Sequence, residues 1–452
     1  MTPTPAQRSP LTLGTSVSYA VGNVGMQMLV AGMSFFLMIF YTDVALVPPA
    51  VAGAALLIGK VWDTVNDPLF GWLTDRTRSR FGRRRVYLWF GSAPLAVLAA
   101  AVWMMPPGLS TVAAFVWIAL SYTAFDTVLT LVQLPYSALS VEMTRDYDER
   151  TSLTAIASFG ALLGYVLGSV LMPMIVRAAP DARTGYALAG AVFGLIAGAA
   201  VAWVAWRVQE PPLEAVRKQA SPPWRDLLAT FANRPFLSLV MACGLVRLGL
   251  TVVQGALAYY VVYVLQDGKD QLPRLMMVLL GVVGVSLFVW KRIVDRWEKN
   301  YAYIAGLVCA AAGLMALYWL QPGQHGAMTL VLVVVGIGMG AHWVVPFSMM
   351  PDTVDHGHLL AGERRTGMYV GLFGLVDKLA RTLATALVAV LLDLSGYVPN
   401  VMQSASAVHG IRLATGPIPA ACLVLAIPLL LFYPITRARH AAIARQFEAP
   451  AP

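Results

Sequence analysis

The sequence predicts an all-α polytopic membrane protein with twelve transmembrane helices, and three observations carry that prediction. Of its 452 residues, 58% are hydrophobic and 12% charged, with a mean hydropathy of +0.68. Soluble domains carry about 25% charged residues, so a water-facing surface cannot be made from this supply, and the same apolar bias excludes disorder. Long apolar runs recur near the length of about 20 residues that a helix needs to cross the hydrocarbon. None of them alternates over about 10 residues as a barrel strand does. The basic residues, finally, gather in alternate loops.

The runs cover approximately 13–42, 49–74, 85–105, 111–141, 152–177, 184–206, 235–265, 274–294, 301–321, 327–350, 366–395 and 411–436. Several exceed 20 residues and so tilt or project beyond the bilayer. No secretory signal is expected at the N-terminus. With the N-terminus, the even-to-odd loops and the C-terminal tail on one side, that side holds 23 of the 32 Lys and Arg. The opposite loops hold only Arg177, Arg183, Lys269, Arg274 and Arg412, and Lys60, Arg247, Lys378 and Arg381 fall inside spans. This bias places both termini in the cytoplasm and the chain in the cytoplasmic (inner) membrane. It also accounts for the net charge of +9 without nucleic acid. Cys243, Cys309 and Cys422 lie in apolar runs at no metal spacing and read as packing residues.

The longest polar break, Gln209 to Arg234, is rich in proline (Pro211, Pro212, Pro222, Pro223) and divides the spans six and six. The domains expected are a bundle over 1–207, a linker over 208–234, a second bundle over 235–436 and a tail over 437–452. A weak repeat supports the division, because Asp75-Arg76 after span two returns as Asp295-Arg296 after span eight. Two six-span halves related by a parallel repeat describe the major facilitator fold, with substrate sites near the midplane. The loop from Gly71 through Asp75, Arg76, Arg80, Gly82 and Arg83 to Arg85 resembles the cytoplasmic signature of those transporters. There Gly71 is expected to let two helices approach closely, and Asp75 to pair with arginines or cap a neighbouring helix. The alternative is a basic loop that only sets topology.

In span two, Asp63 and Asp67 stand four apart, so their carboxylates share one helix face. Each costs about 2.5–3.5 kcal/mol at the bilayer centre on the insertion scale. A cation, a proton or a basic partner must offset that. Oxygen ligands suit a small hard cation, and Lys60, three residues earlier, could instead neutralise one carboxylate. On span four, Asp126, Thr130, Gln133 and Ser137 form one polar stripe, expected to face the bundle interior, with Pro135 opening the backbone ladder beside it. Interhelical hydrogen bonds alone would also explain that stripe.

The run Trp62-Asp63-Thr64-Val65-Asn66-Asp67-Pro68-Leu69-Phe70-Gly71 resembles the helix-two signature of the glycoside–pentoside–hexuronide:cation symporters. The resemblance extends to Tyr41-Thr42-Asp43-Val44, Leu134-Pro135-Tyr136, Asp352-Thr353-Val354-Asp355 and Gly396-Tyr-Val-Pro-Asn400. It implies a sodium site made by Asp63, Asn66, Asp67 and Thr130, with Lys378 as the charge partner near the carboxylates. Na⁺ or H⁺ is then the coupling ion, and no further cofactor is expected. Most of the family's sugar ligands are replaced: Gln27 and Gln133 stand where it has Asp, Leu129 where it has an aromatic, Ser137 where it has Trp and Ser158 where it has Arg, while Trp343 keeps the helix-ten indole. The substrate-binding candidates are accordingly Gln27, Asp126, Gln133, Arg247, Trp343 and Lys378.

Arg247 reads either as an anion-binding group or as the partner of Asp126 or Asp377, and Asp377 could equally neutralise Arg381. His342 beside Trp343 is a packing residue or a hydrogen-bond donor. Asp352 and Asp355, with Glu363, Arg364 and Arg365 in the loop after span ten, are expected to make gating salt bridges on the cytoplasmic side. The function expected is a monomeric symporter importing a glycoside or related saccharide with a coupling cation. The alternatives are an amphiphilic cargo, as in the related vertebrate sodium–lysolipid symporters, or an organic anion held by Arg247. A membrane-embedded enzyme with Asp63 and Asp67 as a dyad lacks the Gly-x-Gly-Asp context and any nucleotide or nucleophile motif. A receptor or scaffold would need a large extramembrane domain.

Overall fold

A computed structural model describes residues 12–144, 147–210, 233–266, 271–361, 366–436 and 439, and every regular element among them is helical. The first six are α1 (Leu13–Ile39, continuing as a π-helical turn Phe40–Val44), α2 (Pro49–Arg76), α3 (Arg85–Ala101), α4 (Thr111–Met143), α5 (Tyr147–Ala178) and α6 (Ala182–Arg207). Then come α7 (Arg234–Tyr259, continuing as a π-helical turn Tyr260–Val264), α8 (Leu272–Arg296), α9 (Lys299–Leu317), α10 (His325–Ala361) and α11 (Thr366–Leu394). The last expected span is two pieces, α12 (Ala405–Thr415) and α13 (Pro417–Leu431).

Among the described residues, nine spans are long and apolar enough to cross a membrane. The three others are α3, which has 17 residues, and α2 and α11. The last two carry the charges Lys60, Asp63 and Asp67, and Asp377, Lys378 and Arg381, inside otherwise apolar helices.

Two boundaries differ from the expectation. The twelfth span starts at Ala405 rather than 411 and breaks at Gly416, because Pro417 has no N–H to continue the ladder. The tenth continues to Ala361, so Asp352-Thr353-Val354-Asp355 is helical rather than a loop, despite Pro346 and Pro351. Two neighbouring side chains bond to this stretch: Lys299 Nζ donates to Ser348 O at 2.8 Å and Asn233 Nδ2 to Thr353 O at 2.8 Å. The prolines of the linker, Glu363 to Arg365 and the tail from 440 onward lie outside the described residues.

The repeat is more regular in the backbone than in the side chains. The π-helical turns close through Ala45 N to Phe40 O and Leu265 N to Tyr260 O, at 2.9 and 3.0 Å. Each is followed by a residue with positive φ, Leu46 at 59° and Gln266 at 53°. The turns lie 220 positions apart, as do the helix ends Arg76 and Arg296.

The chain forms two compact units, one of residues 1–33 with 61–215 and one of 34–60 with 216–452. The end of α1 and the start of α2 thus belong to the second unit, although they precede the expected boundary. In the first unit α3 packs on α6 and α4, and α5 on α6. Helix α5 lies against α1 along Gly160, Gly164 and Gly168, where an added Cβ would overlap the carbonyl oxygens of Ala20, Val24 and Met28. Small residues at this spacing let helix backbones meet in a bilayer, where no hydrophobic force draws them together. Tyr19 and Tyr136 fasten α1 to α4, their rings stacked at 4.3 Å and each hydroxyl donating to the other's carbonyl. In the second unit α9 packs on α10 and α13, α8 on α10, and α7 on α11 and α13.

Gly164→Val should overpack the α1–α5 contact at a cost of about 1–3 kcal/mol or more. Thermal unfolding of the purified protein checks this, and an unchanged melting temperature would contradict the close approach.

Candidate functional site

Helix α2 carries Asp63, Asn66 and Asp67 within little more than one turn, and two hydrogen bonds fix its register against α4. Trp62 Nε1 donates to Thr127 Oγ1 at 2.9 Å, and Thr130 Oγ1 donates to Asp63 Oδ1 at 3.2 Å. Two of the four expected cation ligands are thereby in direct contact. Asp67 is half-buried one turn beyond Asp63. Asn66 between them is fully buried, and neither its Oδ1 nor its Nδ2 has a hydrogen-bond partner among the described residues. An orphaned buried amide costs about 1–3 kcal/mol. Two carboxylates, an amide oxygen and a hydroxyl form an all-oxygen set suited to a small hard cation.

The stripe on α4 divides. Asp126 and Thr130 are buried, while Gln133 and Ser137 are exposed. At 3.6 residues per turn the four lie within about 60° of one another around the axis. The change therefore runs along the helix, whose later turns are less covered. Gln27 is half-buried on α1.

In the second unit, Arg247 of α7 donates from Nε to Asp377 Oδ1 of α11 at 2.5 Å, and its guanidinium lies 6.0 Å from the centre of the Trp343 ring on α10. Arg381, one turn along α11, donates to the other oxygen of Asp377. Lys378 is half-buried beside Asp377. Both alternatives left open by the sequence, Arg247 with Asp377 and Asp377 with Arg381, hold at once. Arg247, Asp377 and His342 line a small cavity with Phe347 and Phe373. Tyr303 Oη and His342 Nδ1 are 2.6 Å apart, both residues buried, so His342 is held by a partner.

The basic loop is anchored by a residue that sequence reasoning missed. Glu210, just past α6, accepts from the backbone N–H groups of Arg84 at 2.9 Å and Arg85 at 3.4 Å, capping α3. Arg84 is buried and bonds Thr74 Oγ1, and Arg85 bonds Ala205 O. Gly82 has φ +100°, and a Cβ on it would strike the Glu210 carboxylate, so only glycine fits there. The close approach expected at Gly71 is not made, since a Cβ there meets no atom within 4 Å among the described residues. Arg76 and Arg80 are exposed, Arg83 is half-buried, and the Asp75 side chain lies outside the described residues. In the second unit Asp352 is buried and pairs with Lys299 at 2.6 Å. Asp355 is half-buried a turn away on α10.

Two motifs that carried the resemblance without a role meet each other. The buried Asp43 carboxylate accepts from Thr42 Oγ1 at 2.7 Å, from Tyr397 Oη at 2.5 Å and from Tyr263 Oη. Asn400 Nδ2 donates to the Asp43 carbonyl at 2.6 Å, and Thr42 Oγ1 lies 2.7 Å from Tyr259 Oη. Burial, and then the Asp43 charge, pushes the Tyr397 hydroxyl far above its usual range, so it remains a donor. The carboxylate thus ties the end of α1 to α7 and to the loop after α11. Asp43 was legible only as part of Tyr-Thr-Asp; its tyrosine partners carried no sequence signal of their own.

Charged and polar groups buried inside otherwise apolar helices of each unit are the mark of a membrane transporter. The chain belongs to the MFS/sugar transport protein family, whose pattern matches residues 18–437. It is 29% identical over 429 residues to the glucuronide carrier protein homolog of Escherichia coli, covering 94% of this chain and 93% of that one. It is 25% identical over 471 residues to the sodium-dependent lysophosphatidylcholine symporter 1-A of Danio rerio, covering 96% and 88%. Its fold matches the xylose transporter XylE of E. coli with a TM-score of 0.68 at 12% identity, over 96% of this chain and 99% of that one.

Asp43→Asn removes the charge that three hydroxyls share, and charge-assisted bonds contribute about 1.5–3 kcal/mol each. A fall in the melting temperature larger than that of Tyr397→Phe is expected. Equal melting of Asp43→Asn and the parent protein would show the cluster to be inert.

Proposed function

We propose that the protein is a sodium-coupled symporter that imports a saccharide-class solute by alternating access. The observation that carries the reading is the buried, unpartnered Asn66 amide between two carboxylates, beside a hydroxyl already bonded to one of them. Sodium bound there by Asp63, Asn66, Asp67 and Thr130 satisfies the amide oxygen and cancels the repulsion of the carboxylates. Coupling then follows from one shared free energy: a cargo that binds better to the sodium-loaded state raises sodium affinity by the same factor. The names of the two relatives, a glucuronide carrier homolog and a sodium-dependent symporter, support a sodium-driven cargo of this kind. Lys378 is the proposed charge partner, and Gln27, Asp126, Gln133 and Trp343 the proposed polar and stacking contacts for cargo. The basic loops keep both termini in the cytoplasm, and the Gly71–Arg85 loop and Asp352 work at that face as the halves rock.

Purified protein should be stabilised by Na⁺ over K⁺ or choline, by about 2.7 kcal/mol at a hundredfold excess over Kd. Asp63→Asn, Asp67→Asn and Asn66→Ala should each lose that shift in a thermal-unfolding titration. A sodium shift surviving in all three would place the ion elsewhere. A C-terminal green fluorescent protein fusion should fluoresce and an alkaline phosphatase fusion stay silent; the opposite pattern refutes the orientation.

A further inference from the structure

The last turn of α6 carries two indoles and a guanidinium together. The Arg207 guanidinium lies 5.7 Å from the centre of the Trp203 ring and 5.8 Å from that of Trp206, and the two rings meet edge to face at 5.4 Å. All three side chains are exposed. A second cation–aromatic contact stands at the same end of the first unit. There the Arg80 guanidinium is 4.9 Å from the centre of the exposed Phe81 ring, and Phe81 meets Phe90 of α3 at 5.9 Å. Glu210 and the Ala205 carbonyl, through their bonds to Arg84 and Arg85, hold this loop against the end of α6. Glu210 thus directs its carboxylate to backbone N–H groups, and Arg78, Arg80 and Arg207 make no ion pair among the described residues.

Exposed apolar surface leads away from this end on both helices. Leu188, Leu195 and Trp206 share one exposed face of α6, and Phe90 and Val97 share one of α3. The two helices form a tight pair, since a Cβ on Gly194 or Gly198 would overlap the carbonyl oxygens of Ala96 and Ser92. The second unit has no counterpart: its last helix, α13, lacks a basic residue in its final turn, whereas Arg207 ends α6. Indoles at the end of a spanning helix sit at the headgroup level of a bilayer, and a guanidinium matches a phosphate.

We propose that the joint end of α3 and α6 binds an anionic phospholipid of the surrounding bilayer. Arg207, backed by Trp203 and Trp206, contacts its phosphate, Arg78 and Arg80 add attraction from the loop, and the acyl chains run along the apolar faces. The lipid is a lateral ligand of the first unit, separate from the cation constellation and from any cargo. A headgroup of net negative charge is preferred, because no carboxylate is paired with these arginines to receive the ammonium of a zwitterionic one.

The test measures binding of phosphatidylglycerol, phosphatidylethanolamine and phosphatidylcholine, with matched acyl chains, to the delipidated full-length protein by native mass spectrometry. Phosphatidylglycerol should bind tighter than either zwitterionic lipid by about fivefold or more. Arg207→Gln should lose most of that preference and Arg207→Lys keep part of it. Arg296→Gln, at the exposed end of α8, should leave it unchanged. If Arg207→Gln does not fold, Trp203→Leu with Trp206→Leu carries the same comparison and should also weaken phosphatidylglycerol binding. Glycerol 3-phosphate, which has the phosphate without the chains, should not displace the lipid. Equal binding of the three lipids overturns the site. So does a preference that survives Arg207→Gln, one that Arg296→Gln reduces as much, or displacement by glycerol 3-phosphate.

Discussion

Inside a bilayer-spanning helix a charge or amide has no water to turn to, so each must be answered by another group of the protein or by a guest. The rest of this structure is arranged around that constraint. Asp43 is answered by three hydroxyls, Asp352 by Lys299, and Asp377 by two arginines. Where the protein supplies the whole answer, the result is a fastening between helices. Where it supplies only part, as at Asn66, a buried polar group is left without a hydrogen-bond partner among the described residues.

The two halves solve equivalent problems with different side chains. Both first helices end in a π-helical turn followed by a residue of positive φ, a backbone repeat that the sequences Phe40-Tyr-Thr-Asp-Val44 and Tyr260-Val-Val-Tyr-Val264 barely share. At the opposite helix ends the first half uses Glu210 as a carboxylate cap on α3, held against Gly82. The second half uses the Lys299–Asp352 ion pair. A helix N-terminus accepts a carboxylate readily because its N–H groups are free and its dipole is positive. The divergence is what a repeat permits once its backbone is settled by the bilayer.

The two units carry different polar groups. The first unit, 1–33 with 61–215, holds the oxygen-rich constellation of Asp63, Asn66, Asp67 and Thr130. The second, 34–60 with 216–452, holds the guanidinium groups and aromatic walls of Arg247, Arg381, Trp343 and Phe347. A hard cation wants compact oxygen donors at short spacing on one helix.

The membrane class, the spans and the shared helix face of Asp63 and Asp67 were legible in the sequence because each depends on local pattern. Hydropathy over about 20 residues reports a crossing, and four-residue spacing puts Asp63 and Asp67 on one face whatever surrounds them. The spacing also puts Asp126, Thr130, Gln133 and Ser137 on one face, but does not tell that the first two are buried and the last two exposed, since coverage along a helix depends on its neighbours. Gly82 proved to be a constrained glycine only once Glu210 stood beside it. Arg247 could be read as an ion pair or as an anion binder, and the tertiary structure shows why the question had no answer in one dimension: Asp377 is 130 positions away and divides itself between two arginines. Sequence determines which charges enter the membrane, because composition and periodicity are properties of the chain alone. Only the folded structure decides which of those charges are answered, because partners on separate helices meet through packing, and packing is not written in any single segment.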